Sequence, residues 1–241
     1  MNSNIHIFKT PENLADAFVQ QLIIWINESR HEIFHLALSG GTTPSLLYRL
    51  LADKYLNKVP WKKIHFWWGD ERMVNPENPE SNFGVVEKLL LSKINLPESQ
   101  IHRIIGENEI NQETKRYESE ILKHIWQNKN GPVFDLILLG MGDDGHTASI
   151  FPGQIHLMEV REITAMASHP VTGQQRITLT GKVINNAARV AFLVTGESKS
   201  GIFKQIMDKS PDASQYPASH IKPQGELHWF IDEGVEKNSL C

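Results

Sequence analysis

Basic runs, paired cysteines, long apolar stretches and low-complexity tracts are all missing from this 241-residue sequence. The sole cysteine, Cys241, is the last residue, so no internal disulfide is expected, which fits a reducing compartment such as the cytoplasm. The formal net charge is −4 and the cations are scattered, so the chain has no electrostatic footprint for nucleic acid or an anionic membrane. No apolar stretch approaches membrane-spanning length. The opening MNSNIHIFKT lacks a basic segment followed by an apolar one, so a cytoplasmic chain with no nucleic-acid or membrane partner is expected. What remains is an ordinary globular composition, 40% hydrophobic and 22% charged, read as a single α/β domain over residues 1–241.

The richest stretch is residues 134–153, FDLILLGMGDDGHTASIFPG. Its apolar run Leu136–Leu139 reads as a strand buried on both faces of a parallel sheet. The run stops at three glycines, two acids and one histidine within residues 140–146. Thr147 then offers a helix N-cap or a loop hydroxyl, and Pro152 with Gly153 ends the segment. Ligands of open α/β sheets sit beyond the carboxyl ends of strands, so this loop is the active-site candidate. Gly140, Gly142 and Gly145 also match G-x-G-x-x-G, but Asp143 and Asp144 would repel a pyrophosphate, which argues against a dinucleotide site. His146 is the one group in the loop whose ordinary pKa lies near neutrality, which suits a general base.

Residues 31–44, HEIFHLALSGGTTP, hold two false leads and one strong signal. His31-Glu32-x-x-His35 satisfies a zinc-protease pattern that works only on a helix, where i and i+4 share a face. Residues 33–38 read as a strand, which carries the two rings roughly 13 Å apart, so no metal is expected there. Ala37-x-Ser39-x-Gly41 lies one residue from a nucleophile elbow; a Ser39 nucleophile would need Asp212 with His220 or His228. The strong signal is SGGTTP itself, Ser39, Gly40, Gly41, Thr42, Thr43 and Pro44. It follows a strand, carries no acid and opens an amphipathic helix through Leu46, Leu47, Leu50 and Leu51. Backbone N–H groups, hydroxyls and a helix dipole together favour an anion such as phosphate.

Elsewhere the chain alternates strands and helices. Residues 5–8 read as a strand, and Thr10 with Pro11 starts a helix running to about Ser29. Ile64–Trp68 is a strand ending in GDERMV, where Asp70, Glu71 and Arg72 read as a solvated charge triplet. Ser81 caps a helix carrying Phe83, Val86 and Leu90. A longer helix carries Tyr117, Ile121 and Ile125, with Trp126 at the core edge. Further strands are expected at residues 163–167, 176–180, 190–194 and 227–231, with a helix through Ile202 and Ile206 after TGESKS. The expected class is α/β, a Rossmann-like, mostly parallel sheet with helices on both faces.

Taken together, SGGTTP, DER followed by SNFG, LLGMGDDGHTASIFPG, RITLT and TGESK, in this order, resemble the 6-phosphogluconolactonases over residues 36–232. That family is related in fold to glucosamine-6-phosphate deaminases and ribose-5-phosphate isomerases. The resemblance implies hydrolysis of 6-phospho-D-glucono-1,5-lactone to 6-phosphogluconate in the oxidative pentose phosphate pathway, with no metal or cofactor. Thr42 stands where the family often has Ser, and the tail after Asp232 is short. By the same resemblance Arg176, Lys199 and Arg72 join Ser39, Gly40, Gly41, Thr42 and Thr43 in holding the substrate. His146 is then the base, Asp144 orients it or the water, Asp70 contacts sugar hydroxyls, and loop glycine amides steady the oxyanion. The partner implied is a small sugar-phosphate lactone, handled by a monomer. Two rivals stand beside this reading. One is a deaminase or aldose–ketose isomerase using Asp70 as base; the other is a non-catalytic sugar-phosphate sensor, for which no DNA-binding segment is evident.

Overall fold

Thr10 and Pro11 start the first helix as their chemistry favours. The Thr10 hydroxyl accepts from the Asn13 amide, and Pro11 sits in the first turn, where its missing N–H costs nothing. The structure, a computed structural model, describes residues 4–237, so Cys241 lies outside the described residues. β1 (Asn4–Phe8) precedes α1 (Pro11–Glu28), whose Leu14, Phe18, Leu22 and Trp25 are buried along one face. β2 (Phe34–Leu38) leads into α2 (Thr42–Lys54), followed by β3 (Ile64–Trp68) and β4 (Asp70–Arg72). Next come α3 (Asn82–Leu89), β5 (Ile101–His102) and α4 (Ile110–His124). A small hairpin, β6 (Gln127–Asn128) and β7 (Gly131–Pro132), precedes β8 (Leu136–Leu139). The chain closes with β9 (Thr164–Ser168), β10 (Gln175–Leu179), α5 (Gly181–Ile184), β11 (Arg189–Val194), α6 (Ser200–Met207), β12 (Glu226–Asp232) and α7 (Glu233–Glu236).

Seven strands form one sheet in the order β1-β12-β11-β8-β2-β3-β5, and every pairing within it is parallel. β2 and β8 are buried at every position, as strands covered on both faces must be. This is the Rossmann-like α/β architecture the alternating signals predict. From β2 the chain moves outward to β3; from β8 it moves the other way, to β11. The two central neighbours thus send their following segments in opposite directions, which opens a crevice at their carboxyl ends.

Three local expectations change, and one pair of alternatives, for Thr147, is decided. Asp70, Glu71 and Arg72 are not a solvated loop but strand β4, paired antiparallel with β10 in a three-stranded sheet β4-β10-β9. Their burial comes from that distant pairing, which a charge triplet alone does not announce. Thr147 caps no helix; its hydroxyl donates to the Gly140 carbonyl at 2.9 Å and pins the loop. Pro152 and Gly153, expected to end the segment, instead open 3-10 turns over Pro152–Met158 that are kinked at Gln154. Trp126 is 66% exposed, because α4 stops at His124 and the chain turns outward.

Candidate active site

The crevice begins at the turn after β2. Gly41 adopts φ 108°, a left-handed backbone that favours glycine, and stands at the N-cap of α2 with no side-chain cap bond. The first amides of α2 are therefore left without a side-chain acceptor at the positive end of a 13-residue helix. Tyr48 fixes the turn from beneath by donating to the Ser39 carbonyl at 2.6 Å. Thr43 meets Thr195, from the loop after β11, through their hydroxyls at 2.7 Å.

The small antiparallel sheet supplies the cations. Arg72 on β4 and Arg176 on β10 are direct cross-strand partners. Like charges in that position are destabilising, so an isolated fold gains nothing from the arrangement. Burial, then the neighbouring Arg72 charge, draws Arg176 below its ordinary range. The Nε atoms of both guanidinium groups are buried without a hydrogen-bond partner among the described residues. Two desolvated, mutually repelling cations with donors to spare suit a dianion. Arg176 is further braced by Gln174 at 3.1 Å and by the Phe151 ring, 5.6 Å from its centre.

The two acids that precede Arg72 on β4, Asp70 and Glu71, have different tasks. Asp70 lines the cleft, and its Oδ2 accepts from the Ser149 hydroxyl at 2.6 Å. Glu71 is 1% exposed and accepts from the amides of Arg72, Asn82 and Phe83 and from the Ser81 hydroxyl. Burial pushes its carboxyl up to about 7, against the pull of those amides. Asn82, so held, donates to the Asp70 carbonyl at 2.9 Å.

The loop after β8 carries a close histidine–aspartate pair. His146 Nδ1 lies 2.6 Å from Asp144 Oδ1, and the His146 amide donates to the same oxygen at 3.1 Å. Burial alone would raise the Asp144 carboxyl, but the His146 ring and amide outweigh it and hold it at about 2. The ring packs so close to Gly142 that a Cβ there would fall 2.1 Å from Nδ1, so only glycine fits. Nδ1 is thereby committed to Asp144. The other ring nitrogen, Nε2, is the one left for chemistry in the cleft, which His146 lines. Ala148 takes the strained φ of 48° in the tight turn between Thr147 and Ile150. Lys199, from the turn after β11, bonds Asp143 at 2.6 Å, and that ammonium holds the exposed carboxyl below its ordinary value.

The structure gathers the predicted residues. Ser39, Gly40, Gly41, Thr42, Thr43, Asp70, Arg72, His146, Arg176 and Lys199 line one cleft of about 220 Å³. Asp144 stands behind His146 rather than in the wall. Gly142 and Gly145 donate their amides within their own loop, so they do not serve as oxyanion donors. The false leads disperse. His35 is buried in β2 and accepts from Trp67, while His31 pairs with Asp135 at 3.0 Å. Among the described residues Ser39 has no histidine partner; its hydroxyl turns to the Gly40 carbonyl, and His220 bonds the Ser214 carbonyl instead. His228 contacts His6 and Glu226. Sequence reasoning missed Asn82, Ser149 and Thr195. Only Asn82 had a signal, as the residue just inside a capped helix after DER.

Comparison with known proteins points one way. A family model described as Glucosamine-6-phosphate isomerases/6-phosphogluconolactonase matches residues 9–229. A 6-phosphogluconolactonase of Haemophilus influenzae is 46% identical over 230 residues, covering 95% of this chain and 96% of its own. The Homo sapiens 6-phosphogluconolactonase is 36% identical over 240 residues, 97% of this chain and 92% of its own. Among solved structures, one called devB protein has a TM-score of 0.91 at 40% identity, covering 98% of this chain and 99% of its own. The Trypanosoma brucei 6-phosphogluconolactonase has a TM-score of 0.85 at 26% identity, covering 100% and 99%. A monomeric glucosamine-6-phosphate deaminase, TM-score 0.81 at 19% identity over 98% of this chain and 99% of its own, shares the fold.

Proposed function

This chain belongs to the glucosamine-6-phosphate isomerases/6-phosphogluconolactonase family, and we propose from that premise how its cleft works. It hydrolyses 6-phospho-D-glucono-1,5-lactone to 6-phosphogluconate in the pentose phosphate pathway. The observation that carries the mechanism is the Asp144–His146 pair, 2.6 Å apart, set at a cleft walled by Arg72, Arg176 and Lys199.

The substrate brings a phosphate dianion and an electrophilic ester carbonyl, and the cleft divides along the same line. Arg72, Arg176 and Lys199 hold the phosphate together with the first amides and hydroxyls of α2. Lys199 exchanges its contact with exposed Asp143 for the phosphate. His146 Nε2 takes a proton from water as the water oxygen attacks C1. Asp144 accepts the Nδ1–H, keeps the ring oriented and stabilises the imidazolium that forms. The tetrahedral oxyanion falls to donors of the turn at residues 39–41, since the amides of Gly142 and Gly145 are engaged. Collapse breaks the bond from C1 to the ring oxygen, and His146 returns its proton to that oxygen. Asp70, held by Ser149, is positioned to orient sugar hydroxyls. A lactone is an activated ester, so no covalent intermediate on Ser39 is needed.

The same reading has residues 1–241 act as a single domain, as a monomer in the cytoplasm. It is supported by the even composition and by the absence, among the described residues, of any helix long and apolar enough to cross a membrane. The direct test is a lactonase assay on freshly generated 6-phosphogluconolactone, corrected for spontaneous hydrolysis. Accelerated hydrolysis is the expected result. Release of ammonia from glucosamine 6-phosphate without lactone hydrolysis would overturn the assignment.

A further inference from the structure

Strand β5 is an edge of only two residues, and the last turn of α4 lies over it. It stands three strand spacings from β8, roughly 14 Å across the sheet from the reactive loop. Glu120 and His124, four residues apart on α4, share one helix face, and His102 rises to them from β5. His102 Nδ1 lies 2.8 Å from Glu120 Oε1, and His124 Nε2 lies 3.4 Å from the same oxygen. All three donor atoms fall within 4.8 Å of one another. Ligands set at ~2.0–2.1 Å around one tetrahedral ion stand roughly 3.4 Å apart, so little movement is required.

The surroundings are those of a metal site rather than of a chance contact. The second nitrogen of His102 is held by His65 Nδ1 at 2.9 Å, the outer contact that fixes the orientation of a ligating ring. Trp67 lies flat against His102, ring centroids 3.9 Å apart. Burial outweighs the Glu120 hydrogen bond and draws His102 down to about 4, so at neutral pH the ring is neutral, as a ligand must be. Arg116, a cation near Glu120, is occupied by Glu113 at 2.5 Å. His124 is partly exposed and gives the ion a way in.

We propose that His102, Glu120 and His124 bind one divalent transition-metal ion of the zinc type, which clasps the end of α4 onto the edge strand. Two imidazoles and one carboxylate suit zinc, with a fourth position open to water on the His124 side. On binding, the ion replaces the proton on His102 Nδ1. The displaced proton leaves to solvent, and His65 passes its Nδ1 proton to His102 Nε2 and becomes the acceptor of that bond. His65 takes a proton from solvent on its own Nε2, so each ring again carries one proton and none is released net. The role is structural, because the ion sits away from the cleft.

The test uses the full chain, stripped of metal by chelation and dialysis and then titrated with Zn²⁺ by calorimetry and thermal melting. Expected are one site per chain and a rise in Tm. His102 is buried and its replacement risks misfolding, so the diagnostic variant is His124→Ala at the surface. It should weaken Zn²⁺ binding beyond the roughly 10–100-fold seen on losing a ligand's outer partner, with lactonase activity and metal-free Tm near wild type. His146→Ala should bind Zn²⁺ as the wild type does, which separates this site from the cleft. Absence of binding below millimolar Zn²⁺, or binding undiminished in His124→Ala, would overturn the proposal. So would activity that is lost on chelation and restored by zinc, since that places the ion at the chemistry.

Discussion

Two histidine–aspartate pairs flank strand β8, one before it and one after, and only the second faces the cleft. His31 Nδ1 lies 3.0 Å from Asp135 Oδ1; His146 Nδ1 lies 2.6 Å from Asp144 Oδ1. At the amino end the carboxylate is buried, at 7% exposure, while the imidazole stands 66% exposed in solvent. Burial raises the Asp135 carboxyl despite its bonds to the His35 amide and to His31. Its second oxygen takes the His35 amide at 2.8 Å, so Asp135 ties β8 to β2. At the carboxyl end the imidazole is less exposed, at 30%, and packs against Gly142 and Phe151, and its free nitrogen belongs to a cleft lined with cations. A histidine–aspartate contact is therefore not a catalytic feature in itself. What lies beyond the second ring nitrogen decides, and in a parallel sheet that is settled by which end of the strand the pair occupies.

The sharpest way to break this contrast is to remove each imidazole in turn. General base catalysis supplies roughly 10²–10⁴-fold, so His146→Ala should lower kcat by about that factor with KM nearly unchanged. His31→Ala should leave both constants alone. Equal losses in the two variants would mean that the pairs do not differ in function. The kcat profile should also show a limb for one group that must be deprotonated, and that limb should vanish in His146→Ala. Asp144→Asn keeps the size of the side chain but removes the charge that orients the ring; a fall in kcat of roughly 10–100-fold is expected, measured at saturating lactone.

A smaller effect probes the cations that surround the carboxyl-end pair. Charge-assisted hydrogen bonds to phosphate are worth roughly 1.5–3 kcal/mol each, so Arg176→Ala should raise KM for the phosphorylated lactone about tenfold or more. Lys199→Ala should do the same, because its partner Asp143 is exposed and gives it up cheaply. Residual activity on unphosphorylated gluconolactone should hardly change. Parallel losses on both substrates would make these side chains supports of the fold rather than phosphate ligands.

The pair after β8 was legible in the sequence, since strand, glycine loop, acid and histidine are adjacent in the chain and their consequences are local. So was the turn at residues 39–41, for the same reason. Arg72 facing Arg176 was not legible from the residues themselves, because it depends on β4 pairing antiparallel with β10 across more than a third of the chain. Glu71 shows the same limit. A charge triplet after a strand looks alike whether it is solvated or folded under a second sheet, and only the tertiary pairing tells them apart. The cluster on α4 was hidden for a related reason. The i, i+4 rule that dismissed His31 and His35 on a strand is satisfied by Glu120 and His124 on a helix, but their third partner comes from β5.

The smallest expected effect concerns stability in acid, where the two aspartates act with opposite sign. Asp144 is held at about 2, below its ordinary value, so its contribution is present near neutrality and is lost as pH falls through that value. Asp135 is raised, so the folded state holds its proton more readily than the unfolded chain does. Its contribution is therefore favourable at low pH and is lost as pH rises through the raised value. Asp144→Asn should flatten the loss of stability below about pH 4, by less than about 1 kcal/mol because the group is half exposed and screened. Asp135→Asn should instead steepen the rise of stability with pH across the acid range. Its overall stability should also fall, since it weakens the acceptor for the His35 amide. Urea unfolding between about pH 3 and pH 7 reads both slopes. If the two variants change slope in the same direction, the carboxylates share one environment, and the distinction between the two ends of β8 rests on the imidazoles alone.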